Sequence, residues 1–360
     1  MIFMLRLSSA NAIAFGFGAQ KRCCGNLEKA EDEAMRRVRA MRLVHPWLAA
    51  AKALSFKSMR PLQALAIYLI LVFLGGALVA PWLYWLVQGV GQTVPHLANS
   101  PFHRFVNRSL LGLALLGIWP LIRSFGFKSF KDLGLGNPKH HWKRLGQGFA
   151  VGFASLAIVA LCALATGARS LPDNSLHLVQ KLVGAALTAV IVAVLEELLF
   201  RGALFGALRL AFHWTKALAI SSMIYALVHF MQSARIEGTV EWYTGLEVLP
   251  RLLRGLLDWH SLIPGFFNLT LAGALLALAY QRTGSLFFSI GLHAGWIFWL
   301  RSFGILTREV PGANAWWWGG GKLINGWVVF PVLAGTLLLF LKCYQGGQKQ
   351  ISTAAARSPI

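Results

Sequence analysis

Several ionisable side chains sit inside apolar runs of this chain, where charge is costly and marks function by default. Glu196 and Glu197 open the segment Glu196-Glu197-Leu198-Leu199-Phe200-Arg201. His229 closes Tyr225-Ala226-Leu227-Val228-His229, and His293 begins His293-Ala294-Gly295-Trp296-Ile297. On an α-helix Arg201 lies one turn from Glu197, so the two can pair. Glu196 points about 100° away on the same helix and is left without a local partner. A carboxylate so placed is a candidate general base or acid near neutral pH. The four-residue spacing puts Tyr225 and His229 on one face. Two imidazoles and a carboxylate converging from three helices can hold and polarise one water. Alternatively, Glu196, His229 and His293 are a ligand set for zinc with an open fourth position, although the HExxH of soluble zinc proteases is absent. Plainer readings stand beside these: glutamates that only brace Arg201, and histidines satisfied within a helical core.

The elements that must position these groups are read from composition and apolar runs. Of 360 residues, 56% are hydrophobic and 13% charged, against about 25% charged in average soluble domains. The mean hydropathy of +0.58 points the same way. These values exclude a disordered chain and argue against a water-soluble enzyme of ordinary surface. They predict an all-α, polytopic transmembrane helical bundle of about eight spans, at 61–90, 110–122, 145–166, 182–208, 217–232, 262–280, 285–300 and 323–341. The region 245–259, with Leu249, Leu252, Leu253, Leu256 and Leu257 opposed to Arg251, Arg254 and Asp258, reads as an amphipathic helix starting near Pro250. Such a helix lies at the interface or packs on the bundle as a plain connection. Trp316-Trp317-Trp318 before Gly319-Gly320-Gly321 reads as an interfacial anchor and a turn.

A net charge of +21 is a nucleic-acid signal in a soluble domain. Here the cations lie between apolar runs, so no nucleic-acid partner is expected. With eight spans, 23 of the 34 Lys and Arg residues fall on the side of the N-terminus and ten on the other, Arg201 lying within a span. The positive-inside rule then places both termini in the cytoplasm, in a cytoplasmic (inner) membrane. The division expected is a basic, partly disordered segment at 1–60, a transmembrane domain at 61–342 with a protease-like core at about 180–300, and a cytoplasmic tail at 343–360. Cys23, Cys24, Cys162 and Cys343 have neither metal spacing nor a disulfide framework.

The order of motifs, Glu-Glu-x-x-x-Arg on one span, aromatic-x-x-x-His on the next and His on a later one, resembles the CPBP family. That family comprises intramembrane proteases related to the type II CAAX prenyl endopeptidases and the bacteriocin-processing enzymes. The resemblance covers about 182–300, and Asp132-Leu133-Gly134-Leu135 is similar to the family's upstream turn. It implies that Glu196 activates a water with His229 assisting, that Glu197 and Arg201 form an adjoining structural pair, and that His293 completes a water or metal site. The family is described both as metalloproteases and as glutamate proteases, so zinc is an expectation that stays open. Tyr225 stands where the family usually has Phe. Ile297 stands where it commonly has Asn, whose hydrogen bond to a developing oxyanion is worth about 3–4 kcal/mol in comparable sites. Asn268 on the sixth span is an expected substitute donor, or else an interhelical hydrogen-bonding residue.

The leading expectation is therefore an intramembrane endopeptidase acting on a membrane-associated protein or peptide in contact with the lipid bilayer. A second is a non-catalytic relative, an immunity or assembly factor, favoured by Ile297. A third is a proton-coupled transporter using Glu196 and the two His; the lack of repeat symmetry and of paired broken spans opposes it.

Overall fold

The computed structural model describes residues 61–344 except 94, 173–176, 232–235 and 237. The basic N-terminal segment, the Cys23-Cys24 pair and the tail beyond Tyr344 lie outside the described residues. Nine helices organise the rest: α1 (Pro61–Gly89), α2 (Phe102–Ser124), α3 (Pro138–Ala165), α4 (Leu178–Ala211), α5 (Trp214–His229), α6 (Thr244–Leu252), α7 (Trp259–Thr283), α8 (Leu286–Leu306) and α9 (Val329–Cys343). Strand structure among the described residues is a two-residue antiparallel pairing of Arg169 with Glu309 and Ser170 with Arg308.

The all-α bundle expected from composition is what forms, with a helix at each of the eight apolar runs. Five of them, α1, α2, α3, α4 and α7, are long and apolar enough to cross a membrane on length and composition. The protein is an integral membrane protein. The boundaries correct the sequence reading in three places. The short second run is a full helix of 23 residues, because Pro101 provides an extended N-cap and Phe102, Phe105 and Val106 are buried in its first turns. Arg104 and Arg108 therefore lie on that helix and not in a loop. Pro250 sits inside α6, which starts at Thr244. Val248 and Leu252 of α6 are buried against Ala80, Phe102 and Phe105, so its apolar face packs on the bundle. The last apolar run enters α9 through a 3-10 turn at Leu323–Asn325.

Regular α geometry is also interrupted twice. Leu71–Gly75 in α1 and Leu198–Phe205 in α4 are π-helical. The second follows directly on Glu196 and Glu197. π segments widen a helix by one residue per turn and occur often at functional sites.

The helix that carries His293 is held by backbone contact. Gly148 and Gly152 of α3 face Gly291 and Gly295 of α8. A Cβ built on Gly152 would fall 2.1 Å from the Leu292 carbonyl oxygen, and one on Gly291 would fall 2.0 Å from that of Leu145. Only hydrogen at these positions allows the approach, the small-xxx-small packing of membrane helices. Trp296 donates from Nε1 to Ser155 Oγ at 2.9 Å and fixes the rotation of α8 against α3. On its other side α8 packs along α4, while α5 packs along α7. Phe200, Leu204, Tyr225, Ala226, Leu269 and Ala294 form the apolar core between these helices.

Candidate active site

The fourth, fifth and eighth helices bring Glu196, Glu197, Tyr225, His229 and His293 together. Glu197 is fully buried, at 0% exposure. Its Oε1 accepts from Arg201 Nη1 at 2.8 Å, the pairing expected from their spacing. The same oxygen lies 2.9 Å from His293 Nδ1. The sequence reading missed this second bond, which links residues distant in the chain. Arg201 also donates from Nη2 to the Gly273 carbonyl of α7 at 3.3 Å, and its guanidinium lies 4.6 Å from the Tyr225 ring centroid. The cation is thus paired, hydrogen-bonded and stacked, the conditions under which a buried charge is tolerated.

A neutral His293 that donates from Nδ1 to the Glu197 carboxylate has a lone pair at Nε2. The Tyr225 hydroxyl is 3.2 Å from that nitrogen and donates to it. His229 is oriented in the same fashion: Nδ1 donates to the Tyr225 carbonyl at 2.7 Å, which leaves Nε2 to face the site. A fixed Nδ1–H bond of this kind sets the tautomer and the ring plane.

Glu196 is placed differently from its neighbour. Its side chain is 27% exposed, while its Oε2 is buried and has no hydrogen-bond partner among protein groups. That oxygen stands 3.6 Å from His229 Nε2 and 3.7 Å from His293 Nε2. The expectation of a carboxylate without a local partner holds along its own helix, and the imidazoles of α5 and α8 flank it across space. Glu196, Tyr225, His229 and His293 all line one cavity of about 760 Å³. Its walls are mixed: Val192, Leu269, Trp296 and Ile297 are apolar, whereas Asp258, Ser261, Arg301, Lys322 and Asn325 bring polar groups. The sequence reading assigned none of these last polar positions to the site, because they lie beyond the buried motifs.

The geometry bears on two expectations. Asn268 is buried, and its Nδ2 donates to the Ile324 carbonyl at 2.7 Å and to that of Gly326 at 2.8 Å. Both protons are taken in tying α7 to the turn before α9, so Asn268 is a structural donor and does not line the cavity. A tetrahedral zinc needs its ligand atoms about 2.0–2.2 Å from the metal. Among the described residues no group of three or more His, Cys, Asp or Glu side chains could hold a metal ion, and the lone pair of His293 Nε2 is engaged by Tyr225.

What the constellation can do chemically is polarise and deprotonate a small protic molecule. One carboxylate is open to the cavity and one is sequestered to orient an imidazole. Residues 178–299 match the model of the Rce1-like family, described as type II CAAX prenyl endopeptidase Rce1-like, a family of proteases. The matched region runs from the start of α4 to near the end of α8, and so contains every one of these residues. It agrees with the resemblance to CPBP proteases carried by the ordered Glu-Glu, His and His motifs. Comparison with curated proteins and with solved structures gave no match.

Proposed function

We propose that the chain is an intramembrane endopeptidase that hydrolyses a peptide bond of a membrane-associated protein or peptide with a water activated by Glu196. The observation that carries this reading is the separation of 3.6 Å between Glu196 Oε2 and His229 Nε2 at the wall of the cavity. Two acceptors so spaced suit one bridging water that donates to both, leaving its oxygen lone pair free to attack a carbonyl. Glu196 takes the water proton as the O–C bond forms and the carbonyl π electrons move to oxygen. It then returns that proton to the peptide nitrogen as the C–N bond breaks. The products are a carboxylic acid and an amine, and no other reactant is consumed. Glu197, neutralised by Arg201, holds His293 from Nδ1 so that its ring closes the site opposite His229. The mixed cavity wall suits a peptide that presents apolar side chains and a polar backbone. The protease match over 178–299 supports the reaction class.

The test is a comparison of membrane proteomes from cells carrying the wild-type chain and Glu196→Ala. An uncleaved precursor confined to the variant is expected, with membrane insertion unchanged. With purified protein and that precursor, activity should survive a strong chelator, because no step above uses a metal; loss on chelation and recovery with zinc would refute the metal-free mechanism. A second reading, a non-catalytic immunity or assembly factor, is favoured by Ile297, which lines the cavity without a donor. It predicts that Glu196→Ala retains function and that no precursor accumulates.

A further inference from the structure

Hydrolysis by this site leaves negative charge on the carbonyl oxygen, and a donor aimed at that position normally supplies a large part of the rate. Ile297, one helical turn beyond His293, has no such group. Asn268 is committed to two backbone carbonyls. We propose that the hydroxyl of Tyr225 is the oxyanion donor of this enzyme, a role that rests on the hydrolase reading above.

The geometry carries it in three ways. Tyr225 lines the cavity beside Glu196, His229 and His293. Its oxygen and Glu196 Oε2 both approach the same His293 Nε2, at 3.2 and 3.7 Å, so donor and base meet at one imidazole. Finally, the ring is held on every side while the hydroxyl keeps a rotatable proton. It meets Phe200 edge-on at 5.0 Å between centroids, lies tilted by 50° against His229 at 4.3 Å and receives the Arg201 guanidinium at 4.6 Å. In the resting site the proton points at His293 Nε2. As the tetrahedral intermediate forms, the O–H turns to the oxyanion, a stronger acceptor than neutral imidazole. No bond to hydrogen breaks in this step.

The guanidinium against the ring face adds to the case. A cation near a phenol makes its O–H a better donor, so Arg201 serves both the Glu197 carboxylate and the Tyr225 hydroxyl. A Phe at this position would keep the packing and lose the donor.

The test uses the full chain in detergent micelles with a library of internally quenched peptides as probe. Wild type, Tyr225→Phe, Tyr225→Phe with Ile297→Asn, and Glu196→Gln are compared after thermal unfolding has shown each to be folded. Tyr225→Phe should lower kcat by about 10²–10³-fold with KM within a few-fold, the signature of an interaction made only in the transition state. Ile297→Asn in that background should recover at least ten-fold, because a carboxamide would then face the same cavity one turn from His293. A Tyr225→Phe rate within three-fold of wild type, or a loss that Ile297→Asn leaves unrescued, overturns the donor role and leaves the hydrolase reading intact. If no peptide is cut in a manner that Glu196→Gln abolishes, the hydrolase reading fails and this inference falls with it.

Discussion

Replacing Gly152 with Ala adds one methyl group where α3 touches α8, and the structure sets its consequences. The new Cβ would meet the Leu292 carbonyl oxygen at 2.1 Å, where ordinary contact begins at 3.4 Å. The backbones must therefore part by about 1.3 Å, since the atom met is a carbonyl and not the end of a flexible side chain. Leu292 precedes His293, so the imidazole shifts with it. Its 2.9 Å bond to Glu197 has no slack for such a shift. Overpacking of this kind costs about 1–3 kcal/mol, and a displacement of roughly 1 Å at reacting groups costs about 10²-fold in rate. Gly146, on the same helix, has nothing within 4 Å of an added Cβ, and Ala there should gain up to about 1 kcal/mol from helix propensity. Thermal unfolding in detergent and precursor accumulation in membranes read both effects. The expected result is a destabilised, nearly inactive Gly152→Ala beside a Gly146→Ala that is intact in both measures. Equal behaviour of the two variants would refute the view that close backbone contact sets the position of His293.

Two further substitutions separate structural from chemical roles. Glu197→Gln leaves the Arg201 cation buried without its counter-charge and should cost about 3–5 kcal/mol; combining Glu197→Leu with Arg201→Met should restore most of that stability but no cleavage, as followed by detergent-denaturation titration and precursor levels. Asn268→Ala strands the Ile324 and Gly326 carbonyls and should lower stability by about 1–3 kcal/mol while cleavage stays within about three-fold; an inactive variant of normal stability would return Asn268 to the catalytic machinery.

The helices were legible because apolar runs long enough to span a bilayer have few alternative structures. The site residues were legible for the converse reason, that charge within such a run is conspicuous. Spacing gave the Glu197–Arg201 pair, since both lie on one helix. It could not give the Glu197–His293 bond, whose partners meet only because α8 packs along α4. The partners of Asn268 are backbone carbonyls in the turn before α9, which carry no signature in residue types. The π segment after Glu197 was invisible to periodicity read at 3.6 residues per turn. The crossing of α3 and α8 did have a signal, in Gly148 with Gly152 and Gly291 with Gly295. That signal is small size at four-residue spacing and not charge, so it marks a helix contact and no chemistry.

Adjacent glutamates take opposite parts here because one residue step on a helix turns a side chain by about 100°. Glu197 turns into the interior, where a carboxylate persists only with full compensation. Arg201 and the His293 Nδ1 proton supply it at 2.8 and 2.9 Å. Such a buried pair is weak evidence for stability, because desolvation offsets much of the attraction. Its consequence is orientation: with Glu197 fixed, His293 must direct Nε2 toward Tyr225 and Glu196. Glu196 turns to the cavity, keeps contact with water-sized space and can change its protonation without dismantling the fold. A site that must hold geometry and move protons at the same residue would compromise one or the other. Splitting the two demands between neighbouring carboxylates, one locked and one open, meets both with a single helix.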